Sequence, residues 1–149
     1  GKQNLYEASW RVPMVLAGPG VPAGARRDGH AYLHGVYPTL CALAGLPAPV
    51  HAERFGFAGL VRGEGGGQER LFGVYTPNAG SERGIRCVRE GRWKLITYLH
   101  NEEVQLFDLQ ADPWERLDLA GEAVHAERVA RLQQAIGDWM AASGDPQLD

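Results

Sequence analysis

The side chains able to do chemistry in this 149-residue sequence are few and scattered. Cys41 and Cys87 are its two thiols. Cys41 falls in an apolar helical stretch and Cys87 in a strand candidate, so both read as buried structural thiols. Two cysteines cannot build a disulfide framework, and they leave the compartment undetermined. His30 and His34 stand four apart, the spacing of two metal ligands on one helix. The strand-like Ala31-Tyr32-Leu33 between them and Gly35 after them argue against a helix there. His51, His100 and His125 are dispersed and read as solvent-exposed loop or helix positions. Glu7 and Arg11, also four apart, are expected to form an ion pair steadying the N-terminal loop, with the small worth usual for such pairs. Gly18-Pro19-Gly20 lacks both a Gly-x-x-Gly continuation and a following Lys-Ser/Thr, so it does not read as a phosphate cradle. A hard cation takes six or more convergent oxygens. The tightest carboxylate pair is the exposed Glu102-Glu103, so no metal site is expected within these residues. Trp93, Tyr98, Phe107 and Trp114 could line a substrate rim. Trp93 and Phe107 lie on strand candidates and are expected in the core, which leaves Trp114, just after Pro113, as the aromatic best placed for contact.

The remaining totals narrow the class. A net charge of −3 with dispersed basic residues argues against a general nucleic-acid surface. No apolar run approaches the roughly 18–20 residues that cross a bilayer. No charged-then-apolar stretch reads as a signal peptide, which decides little for a chain that begins at Gly1. The 20 glycines and 9 prolines imply many turns.

These residues must be positioned by elements of two kinds. Val12 to Ala17 is a short apolar run, expected as a strand of a parallel sheet covered on both faces. The Gly18–Gly24 stretch breaks it. A helix is expected over Val36–Ala44, with Gly35 as N-cap, Pro38 in the first turn and Gly45 as left-handed C-cap. Val36, Leu40, Leu43 and Ala44 would form its apolar face. After the glycine-rich 63–67 stretch the period changes. Arg70–Tyr75, Gly84–Arg89, Arg92–Tyr98 and Val104–Leu109 read as four consecutive short strands, with a tight turn at Glu90-Gly91. Tight connections imply an antiparallel sheet. A closing helix over Ala123–Ala142 carries the stripe Val129, Leu132, Ile136, Trp139 and Met140, expected to pack on one face of that sheet.

Three stretches in this order resemble the C-terminal half of type I sulfatases of the alkaline phosphatase superfamily. The first is Gly1-Lys2-Gln3-Asn4-Leu5-Tyr6-Glu7 running into Arg11-Val12-Pro13 and Ala17-Gly18-Pro19-Gly20. The second is Tyr37-Pro38-Thr39-Leu40 ending at Ala44-Gly45. The third is Val88-Arg89-Glu90-Gly91-Arg92-Trp93-Lys94-Leu95 with Leu106-Phe107-Asp108-Leu109, followed by Asp112-Pro113-Trp114-Glu115 and Leu119-Ala120. Asp118 stands where that family often has asparagine, and Gly35 where it often has aspartate.

The resemblance implies an α/β fold, α+β in its second half. Residues 1–62 would be the C-terminal end of the α/β catalytic domain, and 63–149 a four-stranded antiparallel sheet packed by a C-terminal helix. It implies hydrolysis of small-molecule or saccharide sulfate esters by a formylglycine nucleophile beside calcium. Neither Cys41 nor Cys87 stands in the family's Cys/Ser-x-Pro-x-Arg motif, and the family's metal ligands are not matched here. Calcium is therefore expected in an intact enzyme and not on these residues. One site residue carries over: Lys2 matches the lysine that contacts the sulfate, as both catalytic and substrate-binding residue. Its ammonium would supply compact positive charge where negative charge gathers on the leaving ester oxygen. On its own the chain is expected to be inactive and to self-associate through the apolar 12–17 segment. The alternatives are a phosphodiesterase or phosphonate monoester hydrolase of the same superfamily, and a non-catalytic interaction module.

Overall fold

The computed structural model describes residues 3–48, 50–77 and 83–145. They form two compact units, one from residues up to Val12 together with Phe72 onward, the other from Pro13 to Leu71.

The first unit is built on a sheet of order β1-β2-β3-β4, with β1 Arg70–Tyr75, β2 Ile85–Glu90, β3 Trp93–Tyr98 and β4 Glu103–Asp108. The four-stranded antiparallel sheet is as expected. Glu90 pairs with Trp93, so the turn is centred on Gly91-Arg92, and Gly91 takes the positive φ (57°) that such a two-residue turn requires. Glu102 takes a positive φ where the next hairpin enters β4.

Side chains alternate across a strand, and here both faces are covered. On one face Val88, Leu95 and Leu106 pack against Val129, Leu132, Ile136 and Met140 of the helix Ala126–Ser143. A short 3-10 turn, Ala123–His125, leads into that helix. Trp139 of the expected stripe stacks on Phe72 with ring centroids 5.1 Å apart. Gly144 ends the helix in the left-handed region, and the Asp145 N–H returns to the Met140 carbonyl. Beside this cap Asp145 forms a bidentate ion pair with Arg86 of β2, at 2.6 and 2.7 Å, buried on both sides.

The opposite face holds Ile85, Cys87, Ile96 and Phe107, covered by Leu5 with Tyr6 and Trp10. The one-turn helix α1, Glu7–Trp10, lays Trp10 over β1. A Cβ on Gly73 would sit 2.7 Å from the Cys87 sulfur and 3.1 Å from the Trp10 ring, so this strand position requires glycine. That the first residues of the chain cover the sheet was not evident from the sequence pattern.

The second unit contains α2 Val36–Leu43, α3 Val50–Glu53 and α4 Ala58–Arg62. α2 starts and stops where expected: Gly45 is left-handed (φ 69°), and the Leu46 N–H bonds the Cys41 carbonyl at 2.8 Å. Its buried face differs from the expected one. Pro38, Thr39 and Cys41 face inward, whereas Leu40 is exposed. The determinant is polar: Thr39 Oγ1 donates to the Gly35 carbonyl (2.6 Å) and accepts the Phe57 N–H (2.8 Å), tying the 55–57 turn to the helix. A Cβ at Gly35 would lie 2.2 Å from the Phe55 carbonyl oxygen. An aspartate at this position would need this turn displaced.

Val12 to Ala17 does not form the expected strand. It runs without ladder pairing among the described residues, and Val15 is 92% exposed. A strand exists only through its partner's hydrogen bonds, and no parallel neighbour lies among the described residues.

Candidate functional site

Lys2 lies outside the described residues. From Asn4 onward the segment is held to the sheet. The Asn4 side chain accepts the Tyr6 N–H at 3.2 Å, Leu5 is buried, and the Tyr6 hydroxyl donates to Gln105 of β4 at 2.7 Å. Glu7 then enters an ion cluster on the sheet.

Arg89 of β2 and Lys94 of β3 are directly opposed in the ladder and point to the same face. Two like charges so placed repel. Glu7 bridges them, with one carboxylate oxygen 3.0 Å from the Lys94 ammonium and the other 2.9 Å from Arg89. Glu115 supplies the second anion, 2.9 Å from the same ammonium, and its other oxygen accepts the Glu7 backbone N–H. The contact to Lys94 is an ion contact at close range without a hydrogen-bond angle. The Lys94 side chain is 0% exposed and that of Glu115 2%. Trp10 closes the cluster, its ring 5.1 Å from the ammonium. Two cations and two anions thus balance, with Lys94 and Glu115 shut off from water and Arg89 at the partly exposed rim.

Glu115 reaches this position from a loop with unusual backbone. Asp112 accepts the N–H groups of Trp114, Arg116 and Leu117. Those bonds, the Leu117 N–H foremost, hold its carboxyl below the usual range. Glu115 has φ 53°, in the left-handed region where a non-glycine residue is strained. The result is a sharp division: Glu115 turns inward while Trp114 is left 77% exposed.

Glu7 and Arg11 do not pair: α1 ends at Trp10 and Arg11 is extended (ψ 131°), so the four-residue spacing does not bring them together. Cys41 and Cys87 are buried and unpaired as thiols. Burial pushes the Cys87 thiol up to about 12, which keeps it protonated at neutral pH and useless as a nucleophile. His30 forms an isolated bridge with Gln68, and His34 stacks on Tyr32 at 4.8 Å. His51 and His100 are exposed. His125 departs from expectation, packing half-buried against Trp93, with Arg128 3.8 Å over the same ring. Phe107 is core, as expected. Trp93 packs at the edge of the other cluster. Asp118 accepts the Leu106 and Ala120 N–H groups through one oxygen, work that an asparagine would do equally well.

The described residues do not fit a calcium ion. Glu7 and Glu115 serve Lys94, and Asp145 serves Arg86. Asp108 is held by Arg92, which lowers its carboxyl below the ordinary range. No group of three or more His, Cys, Asp or Glu able to hold a metal occurs among the described residues. None of their helices is long and apolar enough to cross a membrane.

Comparison with known proteins accounts for most of the chain. Residues 1–142 match the family model described as N-sulphoglucosamine sulphohydrolase, C-terminal. Arylsulfatase K of Rattus norvegicus is 30% identical over 131 residues, which cover 81% of this chain and 23% of that protein. The solved structure of a 2-O GAG sulfatase aligns with TM-score 0.71 at 27% identity, over 87% of this chain and 29% of the other. A phosphonate monoester hydrolase of Silicibacter pomeroyi aligns with TM-score 0.78 at 20% identity, over 95% of this chain and 31% of the other, a likeness of fold. The chain thus spans between about a quarter and a third of the length of these proteins.

Proposed function

We propose, since this chain belongs to the sulfatase family as a C-terminal portion of the N-sulphoglucosamine sulphohydrolase type, that the protein carrying it hydrolyses sulfate esters. The observation that supports this most directly is the family match across residues 1–142. In this reading residues 1–62 end the catalytic domain and 63–149 form the accessory sheet-and-helix subdomain. Lys2 contacts the sulfate and stabilises charge on the leaving oxygen in the transition state. The nucleophile, a formylglycine, and the calcium ion belong to other parts of the protein, because the residues described here provide neither. A saccharide sulfate is the favoured substrate class, by analogy with the 2-O GAG sulfatase. The phosphonate monoester hydrolase likeness is one of fold, and it moves the reading no further.

The test compares the intact protein with the isolated chain on an aryl sulfate. The intact protein is expected to turn it over, and the purified 149-residue chain to stay at the buffer blank with or without calcium. Hydrolysis that co-purifies with the isolated chain would overturn the division of labour. The same preparation, followed by light scattering, is expected to self-associate through the exposed Val12, Met14 and Val15. A clean monomer at high concentration would favour an interaction module instead.

A further inference from the structure

We propose that Trp114 and Arg116 form a binding platform for a sulfated saccharide, the indole taking a sugar ring face-on and the guanidinium pairing with a sulfate or carboxylate on that sugar. The choice of a sulfated saccharide rests on the substrate class proposed above. Trp114 is 77% exposed. Single exposed apolar side chains are common and by themselves mean little. Here, however, the backbone that carries the indole is tied down on both sides. Before it, the Asp112 N–H bonds the Asp108 carbonyl at the end of β4 at 2.8 Å. The Asp112 carboxylate accepts the N–H groups of Trp114 at 3.3 Å, Arg116 at 2.5 Å and Leu117 at 2.8 Å. After it, Glu115 is drawn inward onto the Lys94 ammonium and the Glu7 N–H. Asp118 then accepts the Leu106 N–H of β4 at 2.9 Å. A loop so fastened holds the indole out in water.

That arrangement works against stability twice. It forgoes burial of one of the largest apolar side chains, and the left-handed φ of 53° at Glu115 adds strain beside it. It suits recognition, because a rigid aromatic with few torsions loses little entropy when a ligand settles on it. One indole matches the apolar face of one sugar ring, whereas a stable protein partner needs roughly 800 Å² on each side. Arg116 sets the charge of the ligand. Its Nε lies 3.9 Å from the Asp112 oxygen that also accepts the Trp114 N–H, so the guanidinium stays near the segment that carries the indole. Asp112 commits its carboxylate to three backbone N–H groups, and the Arg116 side chain is 82% exposed, so this long ion contact neutralises little. The planar fork of arginine fits the paired oxygens of a sulfate or carboxylate. Nucleic acid also stacks on aromatics, but it calls for a basic surface that a chain of net charge −3 does not offer.

The test uses the intact protein labelled with fluorotryptophan and read by fluorine NMR, the Trp114 resonance being identified by its loss in Trp114→Phe. The probe is a sulfated glucosamine–uronate disaccharide, with its desulfated counterpart as control. The Trp114 resonance is expected to shift saturably with the sulfated sugar and far less with the control. Arg116→Ala should weaken the apparent affinity about tenfold or more, the worth of one charge-assisted contact. A resonance that does not move, or that moves equally with both sugars, would overturn the inference. So would a Trp114 resonance shielded from a soluble paramagnetic agent, which would show the indole covered by the rest of the protein. Turnover of an aryl sulfate by the same preparation tests the sulfatase reading separately. Turnover without a shift strikes the platform alone, and a shift without turnover strikes that reading and leaves the platform.

Discussion

Lys2→Ala in the intact protein is expected to lower turnover of an aryl sulfate by about 100-fold or more. The effect should fall on kcat and kcat/KM alike, because in the proposed role the ammonium acts where charge develops on the departing oxygen. The loss of a group that merely binds the ground-state sulfate would instead raise KM with kcat kept. Arginine should rescue poorly: its planar fork is larger and cannot place a compact charge on one oxygen. A role confined to the substrate predicts a melting temperature close to that of the parent. A rate within about twofold of the parent would assign Lys2 to the surface.

The second large effect concerns stability. Asp145→Asn removes the carboxylate charge that faces the buried Arg86 guanidinium at 2.6 and 2.7 Å. Breaking a buried pair by neutralising one partner costs about 3–5 kcal/mol. The loss should appear as a lower denaturation midpoint at unchanged slope. Arg86→Met combined with Asp145→Leu should recover most of it, because the double change removes the desolvation cost along with the attraction. A loss below about 1 kcal/mol for the single change would mean that water reaches the pair. The pair matters for architecture because it fastens the C-terminal end of the last helix to β2, beside the Gly144 cap.

What could be read from the sequence was governed by local period. The four strands and the long helix carry alternation and 3.6-residue spacing in themselves, so Arg70–Tyr75 and the Val129–Met140 stripe were legible as written. The helix at Val36–Leu43 was legible through Pro38 and Gly45, but its buried face was not. Thr39 is decided by a backbone N–H at Phe57, eighteen residues on, which no local pattern encodes. Val12–Ala17 looked like a strand by composition, yet strand structure depends on partners as well as residues. The ion cluster was the least legible of all. Glu7 meets Lys94 across 87 positions of sequence, and the local partner suggested by spacing, Arg11, is removed by the end of a single helical turn. A usable signal existed in hindsight: Lys94 sits between Trp93 and Leu95 in a buried strand, and a lysine there requires an anion from elsewhere.

The sulfatase assignment is tested most directly by kinetics of the intact protein on a matched pair, an aryl sulfate and the corresponding aryl phosphonate monoester. The sulfate ester is expected to show the higher kcat/KM, with that activity lost in Lys2→Ala. A higher kcat/KM for the phosphonate would contradict it and move the protein to the hydrolases with which it shares a fold.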